Sequence, residues 1–166
     1  TMEEYEKMSS GGGFTHFVFS ISRETTLRFN FDKHDASMMT IIYGDGTSDV
    51  ISTSGPVNGG NGLVHIYEAS EQPYTMSIIA RGPWSFGTGM TITGSESNNS
   101  RLLEVYLDSQ YCRYVDNGLT VDTGNTIGDT SLLKGATNLK KLVLPNATIT
   151  RLPQGFLKDC RSLESV

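Results

Sequence analysis

From residue 14 to residue 80, apolar and polar side chains alternate in short runs that are separated by turn-forming residues. A period of two places successive side chains on opposite faces of an extended strand, so each run can bury one face and expose the other. Short strands with turn signals between them are typical of a β-sandwich. The runs are Phe14–Ile21, Leu27–Phe31, Met39–Tyr43 and Met76–Ala80. The pattern therefore predicts a mainly β chain whose first unit is an antiparallel sandwich.

A hairpin turn is predicted at Asp45-Gly46. These residues follow the apolar pair Ile41-Ile42 and precede Thr47. An Asp-Gly pair between apolar runs supplies the positive φ angles that a tight hairpin demands. We therefore expect antiparallel strands on both sides of the turn, and a helix over residues 41–47 would contradict this interpretation.

The motifs around this turn resemble the polycystic kidney disease (PKD) repeat, an immunoglobulin-like sandwich. The matching residues are Tyr43 to Thr47, His65 with Tyr67, and Tyr74 to Ile78. Tyr43 stands where the family usually has Trp, and Gln72-Pro73 stands where a Gly normally precedes the tyrosine. The resemblance covers about residues 14 to 80 and implies a non-catalytic module of secreted proteins.

The C-terminal part of the chain contains an internal repeat. The stretch 139–144 has the pattern L-x-x-L-x-L, which puts alternate residues of a short strand into a shared core. Six residues align with an identical or similar residue 24 positions later, and this offset lies within the 20 to 29 positions of leucine-rich repeats. Leu132, Leu133, Lys134, Ala136, Leu139 and Leu142 align with Phe156, Leu157, Lys158, Cys160, Leu163 and Val166. A degenerate earlier copy lies at 102–107, so we expect stacked repeats that share one core.

This repeat resembles the BspA-type leucine-rich repeats of bacterial surface proteins, over residues 137–145 and 155–163. In that family a cysteine fills a buried step of each repeat that admits only a small residue, and the counterpart of Cys160 in the previous copy is Ala136. The resemblance implies that Cys160 acts as a small hydrophobe rather than as half of a disulfide with Cys112.

Four segments follow from these patterns. Residues 1–13 are charged and then glycine-rich, which predicts a flexible arm or tether. Residues 14–80 form the PKD-like β-sandwich, and residues 81–100 form a connector. Residues 101–166 form the leucine-rich-repeat unit, which we expect to be incomplete or capped by a partner, because its last repeat has no polar cap.

The charge balance argues against nucleic acid and membrane partners. Thirteen basic and eighteen acidic residues give a net charge of -5. This charge creates no long-range field that attracts phosphate backbones or anionic lipid. No run approaches the ~20 apolar residues that cross a bilayer. We therefore expect neither nucleic-acid binding nor membrane insertion.

No residue pattern predicts a catalytic, cofactor or metal site. The histidines are far apart and belong to no H-E-x-x-H or nucleophile motif: His16, His34 and His65. His65 lies within an apolar strand, which favours a structural hydrogen bond. Four aspartates lack the spacing of an EF-hand, although a bound calcium ion stays open: Asp32, Asp35, Asp45 and Asp49. The glycine-rich stretch 55–62 lacks the Lys-Ser/Thr ending of a phosphate-binding loop and predicts a hairpin loop.

A ligand face is predicted on the repeat unit. In an L-x-x-L-x-L strand the leucines point inward and the intervening residues point outward. The predicted face consists of Glu104, Tyr106, Asp108, Lys141 and Val143. The leading hypothesis is a non-catalytic binding or adhesion module, extracellular or at a bacterial cell surface, that recognises protein or glycan ligands.

Two alternatives accompany this hypothesis. The chain could be a structural or decoration component of a virion or another large assembly, in which neighbouring subunits are the partners. It could also be an accessory domain of a secreted enzyme that binds glycan through exposed aromatic residues. The candidates for such aromatic contacts are Trp84, Tyr106, Tyr111 and Tyr114.

Overall fold

The computed structural model describes residues 13–93, 99–107, 136–143, 157 and 159–165. This part of the chain is mainly β and contains no α-helix, which confirms the predicted class. The strands are β1 Gly13–Phe19, β2 Thr25–Lys33, β3 Met39–Ile42, β4 Ser48–Ile51, β5 Gly55–Pro56, β6 Leu63–Tyr67, β7 Tyr74–Ala80, β8 Trp84–Thr93, β9 Leu102–Leu107 and β10 Lys141–Val143. Two short 3-10 turns cover Val57–Gly60 and Asn99–Arg101.

These strands form two sheets. The six-stranded sheet has the order β10-β9-β1-β7-β3-β4, and its neighbours are antiparallel except for β9 and β10. In the four-stranded sheet β2 is the central strand, with β5 and β6 along one edge and β8 along the other. The two sheets pack against each other through aromatic residues such as Phe17 of β1 and Phe29 of β2, whose ring centroids are 6.3 Å apart.

One apolar core fills the space between the sheets. Alternate residues of the predicted runs point into it, which is the consequence of the period of two. Each fully buried Phe, Leu or Ile contributes about 1.5–3 kcal/mol relative to an exposed one. The core includes Phe17, Phe19, Ile21, Leu27, Phe29, Phe31, Met39, Ile41, Tyr43, Tyr67, Met76, Ile78, Ala80 and Trp84.

The predicted hairpin is confirmed, with a longer loop than a two-residue turn. Strands β3 and β4 pair antiparallel up to Ile42 and Ser48, and the Tyr43 N–H donates to the Thr47 carbonyl at 3.0 Å. The positive φ angles fall on Gly44 (89°) and Gly46 (93°) rather than on Asp45. A Cβ atom at Gly44 would lie 2.3 Å from the Thr75 carbonyl oxygen. This glycine is therefore needed both for its φ angle and for the close approach of β7.

The sheets extend beyond the predicted limits of the sandwich. Strand β8 lies in the predicted connector, and it pairs with β2 along most of its length. Strand β9 lies in the predicted repeat unit, and it pairs with β1. Residues of that unit also join the common core: Leu102, Val105, Ala136, Leu139 and Leu142. The division into domains stays a prediction, but hydrogen bonds and buried contacts cross its boundaries.

Beyond β9 the large sheet continues with parallel pairing. Leu142 of β10 lies opposite Val105 of β9, and Lys141 forms a parallel bridge with Ser165. The register between Lys141 and Ser165 equals the 24-residue displacement of the repeat. Among the aligned residues, Ala136, Leu139 and Leu142 are buried, and Leu157, Cys160 and Leu163 are half-buried against the same core. The remaining aligned residues lie outside the part of the chain that the structure describes.

Candidate functional site

The structure brings four of the five predicted ligand-face residues together. Lys141 lies opposite Glu104, and Val143 lies opposite Tyr106, in the parallel pairing of β10 with β9. Residues directly opposite each other in a ladder, and residues two apart in one strand, share a face of the sheet. Asp108 lies outside the described residues. The four others therefore form a contiguous patch on the side of the sheet away from the core.

This patch is less exposed to solvent than the sequence predicts. Lys141 is exposed and Glu104 and Val143 are half-buried, but only 8% of the surface of Tyr106 is accessible. The ring of Tyr106 stacks on His16 of β1, with 5.4 Å between the centroids and 18° between the planes. The accessible part of the predicted ligand face therefore consists of Glu104, Lys141 and Val143, and whether it binds a ligand stays a prediction.

His16 lies buried beside this patch. Its ring contacts both Phe14 and Tyr106, at centroid distances of 5.4 Å in each case. Burial lowers the pKa of His16 to about 4, and the nearby positive charge of Lys141 acts in the same direction. The imidazole is therefore neutral at physiological pH, and it serves this face as an aromatic ring rather than as a cation.

Two of the four aromatic residues proposed to contact a glycan are buried. Trp84 is 1% exposed and packs against Phe29 and Phe31 in the core, at centroid distances of 6.2 and 6.3 Å. Tyr106 is buried as described above. Neither ring offers a free face to a sugar, so the expectation of exposed aromatic contacts at these two positions is wrong. Tyr111 and Tyr114 lie outside the described residues.

The PKD-like motif residues meet in one cluster, which we call the Tyr-Asp-His cluster and define as Tyr43, Asp45, His65 and Tyr67. The rings of Tyr43 and His65 are stacked, with 3.7 Å between the centroids and 4° between the planes. His65 Nε2 lies 2.7 Å from Asp45 Oδ2. The Tyr67 hydroxyl donates to the Tyr43 carbonyl at 2.8 Å. The cluster links the β3–β4 turn to β6, and therefore one sheet to the other.

The ionisation of the cluster follows from its contacts. Partial burial acts to raise the pKa of Asp45, but hydrogen bonds from the Thr47 hydroxyl, from His65 and from the Thr47 N–H outweigh it, so this pKa lies below its ordinary value. Burial raises the pKa of Tyr43, and the Tyr43 hydroxyl donates to Asp49 Oδ2 at 2.6 Å. Burial also raises the pKa of Tyr67. The cluster therefore holds one stable carboxylate and two neutral phenols.

The geometry of the cluster is that of a structural clamp. A hydrolytic triad needs one ring nitrogen of the histidine on the carboxylate and the other on the nucleophile. Here Nε2 of His65 faces both Asp45, at 2.7 Å, and the Thr47 hydroxyl, at 3.5 Å. The Thr47 hydroxyl already donates to Asp45 Oδ1. The structural role that the sequence favours for His65 is confirmed by these contacts.

Three of the four aspartates considered for calcium accept hydrogen bonds from nearby residues. Asp45 accepts hydrogen bonds within its turn, Asp49 accepts one from Tyr43, and Asp35 accepts one from the Ser37 N–H at 2.9 Å. Within the described ranges, no group of three or more His, Cys, Asp or Glu side chains is arranged to hold a metal ion.

The glycine-rich stretch is a loop held by β2. Asn58, Gly59 and Gly60 have positive φ angles of 50°, 65° and 97°. The side chains of Arg28 and Asn30 donate to the carbonyls of Asn61 and Gly60. The hairpin prediction for this stretch is wrong, because β5 before the loop and β6 after it do not pair with each other: both pair antiparallel with β2, one after the other along the same edge.

A second surface, which the sequence did not reveal, lies beside β6. A cleft of about 400 Å³ opens there and is lined by Asp45, Ile66, Glu68 and Tyr74. Val64 and Ile66 of β6 are 47% and 56% exposed. Residues 63–67 have apolar side chains at both odd and even positions, so neither face of this strand is wholly polar. This pattern is the signal in the sequence from which an exposed apolar surface could have been predicted.

Comparison with known proteins finds no family model, no curated protein and no solved structure that matches this chain. Among the described residues, no helix is long and apolar enough to cross a membrane.

Proposed function

We propose that this chain is a non-catalytic, extracytoplasmic binding or adhesion module of the bacterial cell surface, built from an immunoglobulin-like, PKD-like sandwich and the start of a leucine-rich-repeat solenoid. The observation that carries the proposal is the row of residues across the parallel segments. Glu104 of β9, Lys141 of β10 and Ser165 lie opposite one another in register. Lys141 and Ser165 are exposed, and Glu104 is half-buried. Repeats present such rows to their ligands on broad, regular surfaces.

The contacts of the ionisable residues support a role without catalysis. General acid or base catalysis needs a group that can reach a substrate and exchange a proton near the working pH. Asp45 and His65 bond each other, and Asp49 accepts from Tyr43. His16 is buried. These polar groups are therefore used to hold the fold together.

A protein ligand is favoured over a glycan. Glycan sites rely on exposed aromatic faces, and Trp84 and Tyr106 are buried. The accessible part of the ligand face combines a cation at Lys141 with a carboxylate at Glu104 and an apolar side chain at Val143. A mixed surface of this kind suits the polar rim and apolar centre of a protein interface.

The test is a binding screen with the full chain, on arrays of extracellular matrix proteins and of glycans. We expect a protein ligand whose binding is weakened by Lys141→Glu. Lys140→Glu is the matched control, because it makes the same charge change at a neighbouring exposed residue that precedes β10 and lies outside the row of Glu104, Lys141 and Ser165. Equal losses for the two variants would contradict the ligand face. Turnover of a hydrolase substrate that is abolished by replacing a single Asp, Glu or His would contradict the non-catalytic role.

A further inference from the structure

Strand β6 lies at an open edge of the four-stranded sheet. Among the described residues its only strand partner is β2, and none of its backbone groups bonds to another segment. Alternate residues of an edge strand direct their N–H and C=O groups away from the sheet. One side of β6 therefore presents the hydrogen-bonding pattern that an added strand would use.

Strand β6 itself lacks the features that keep edge strands from pairing, whereas β5 on the same edge contains Pro56. Such strands usually carry Lys, Pro, an inward-pointing charge or a bulge. Strand β6 has the sequence Leu-Val-His-Ile-Tyr, and its regular pairing with β2 shows no register shift. Its exposed residues, Val64 and Ile66, are β-branched and favour strand pairing. By contrast β4, an outer strand of the large sheet, contains Asp49 and a single exposed large apolar residue, Val50.

The cleft beside β6 favours a positively charged partner, because its lining includes two acidic residues. Its walls combine the carboxylates of Asp45 and Glu68 with the apolar surfaces of Ile66 and Tyr74. The hydrogen bonds from Thr47 and His65 keep Asp45 in its charged form. Lysine and arginine match this combination, since each has a long apolar stem and a charged end.

We propose that the β6 edge is a docking site for an extended, cationic segment of a partner protein. The segment adds to β6 as a strand, packs its apolar side chains on Val64 and Ile66, and places a Lys or Arg side chain between Asp45 and Glu68. A second copy of this chain is a poor occupant, because its net charge is -5 and its edge strand β4 contains Asp49. The site is separate from the Glu104, Lys141 and Val143 face and does not rest on the function proposed above.

The experiment measures the binding of a short labelled peptide to the full chain by fluorescence anisotropy. The probe has the sequence Thr-Val-Lys-Val-Lys-Val-Thr, and the control peptide has Glu in place of both Lys residues. We expect binding of the cationic peptide only. Ile66→Lys and Glu68→Lys should each weaken that binding by about tenfold or more, because the first replaces an apolar contact with a charge and the second places a cation where the peptide brings its own. Val50→Lys is the matched control, since Val50 and Ile66 are both 56% exposed on edge strands, and it should leave binding unchanged.

Three outcomes would overturn the proposal. Similar losses for Val50→Lys and Ile66→Lys would indicate a diffuse attraction between opposite charges. Undiminished binding of a peptide with N-methyl groups on alternate residues would show that no strand is added, because methylation removes the backbone donors. A dimer of the chain in sedimentation that is lost in Ile66→Lys would assign the edge to a second copy. Circular dichroism of each variant separates these results from a loss of folding.

Discussion

The imidazole of His65 lies flat on the ring of Tyr43, 3.7 Å away between centroids, in a contact that joins the two sheets. Tyr43 directly follows β3 of the large sheet, and His65 lies in β6 of the small one. The bond between His65 and Asp45 ties the intervening turn to the same point. The motif that resembles the PKD repeat thus connects the two sheets through side-chain contacts.

Replacing His65 tests how much these contacts stabilise the fold. His65→Ala should lower the free energy of unfolding by about 2 kcal/mol, because it removes both the ring stacking and the bond to Asp45. His65→Phe keeps a ring on Tyr43 and should lose about half as much. Urea denaturation of the two variants measures the difference. Equal losses would show that the stacking contributes nothing.

Gly44 and Gly46, which both lie in the turn between β3 and β4, provide a matched pair of glycine-to-alanine variants. Gly46→Ala introduces only the strain of a φ angle of 93°, since no atom lies within 4 Å of its new Cβ, and it should cost about 1 kcal/mol. Gly44→Ala adds a collision with the Thr75 carbonyl oxygen at 2.3 Å. It should therefore cost more than about 3 kcal/mol. Thermal melts of both variants check this order, and similar melting temperatures would contradict the close approach of β7.

Acid should destabilise the fold through His16. The pKa of this residue is about 4 in the folded chain and 6.5 without burial, so the unfolded chain takes up a proton first as the pH falls. The free energy of unfolding should decrease between pH 6.5 and pH 4, by up to about 3 kcal/mol from this group. Asp45 has a lowered pKa, so its own contribution is lost at still lower pH.

Denaturation curves at half-unit pH intervals measure this slope. His16→Phe keeps an aromatic ring beside Tyr106 and removes the titrating group, so the slope between pH 4 and 6.5 should flatten. The exposed residue His34 supplies the control His34→Gln, which should keep the slope of the unmodified chain. A steep slope that persists in His16→Phe would point to another group.

Leu142→Ala tests whether the predicted domains unfold separately. Leu142 is 1% exposed and belongs to the same core cluster as Phe17 of β1. Its truncation should cost about 2–5 kcal/mol. Because β10 joins β1 through β9 in one sheet, we expect the whole molecule to unfold in a single transition at a lower temperature. Hydrogen exchange that protects residues 14–80 and exposes residues 102–107 in this variant would instead support independent units. Val143→Ala, at a half-buried neighbour, should have a smaller effect.

The elements that the sequence predicts well are those whose pattern is local. Strands β2 and β3 bury every second residue, so their alternation is visible in any short window. The hairpin carries its own signal in Asp45-Gly46. Lys141 forms a parallel bridge with Ser165, 24 positions later, but the stacking of repeats stays a prediction.

The features that the sequence missed depend on distant contacts. The alternation of side chains along β9 places Tyr106 on the face of the sheet away from the core. Only the fold shows that Phe14 and His16 pack against Tyr106 on that face, so that its ring is buried. Trp84 stands alone in a glycine-rich stretch, and its burial follows from the pairing of β8 with β2. The contact of Asp45 with His65 similarly requires the turn of one sheet to meet a strand of the other.

Strand β1 precedes every other described strand along the chain, yet it lies between β7 and β9 in the large sheet. Phe17 therefore has Met76 on one side and Val105 on the other, and both are synthesised long after it. Chains dominated by such distant pairings fold in milliseconds to seconds rather than microseconds. Until β7 and β9 pair with β1, its apolar stretch Phe-Thr-His-Phe-Val-Phe stays unpaired and prone to associate with other chains. The yield of folded protein should consequently fall as the refolding concentration rises, even under conditions where the finished fold is stable.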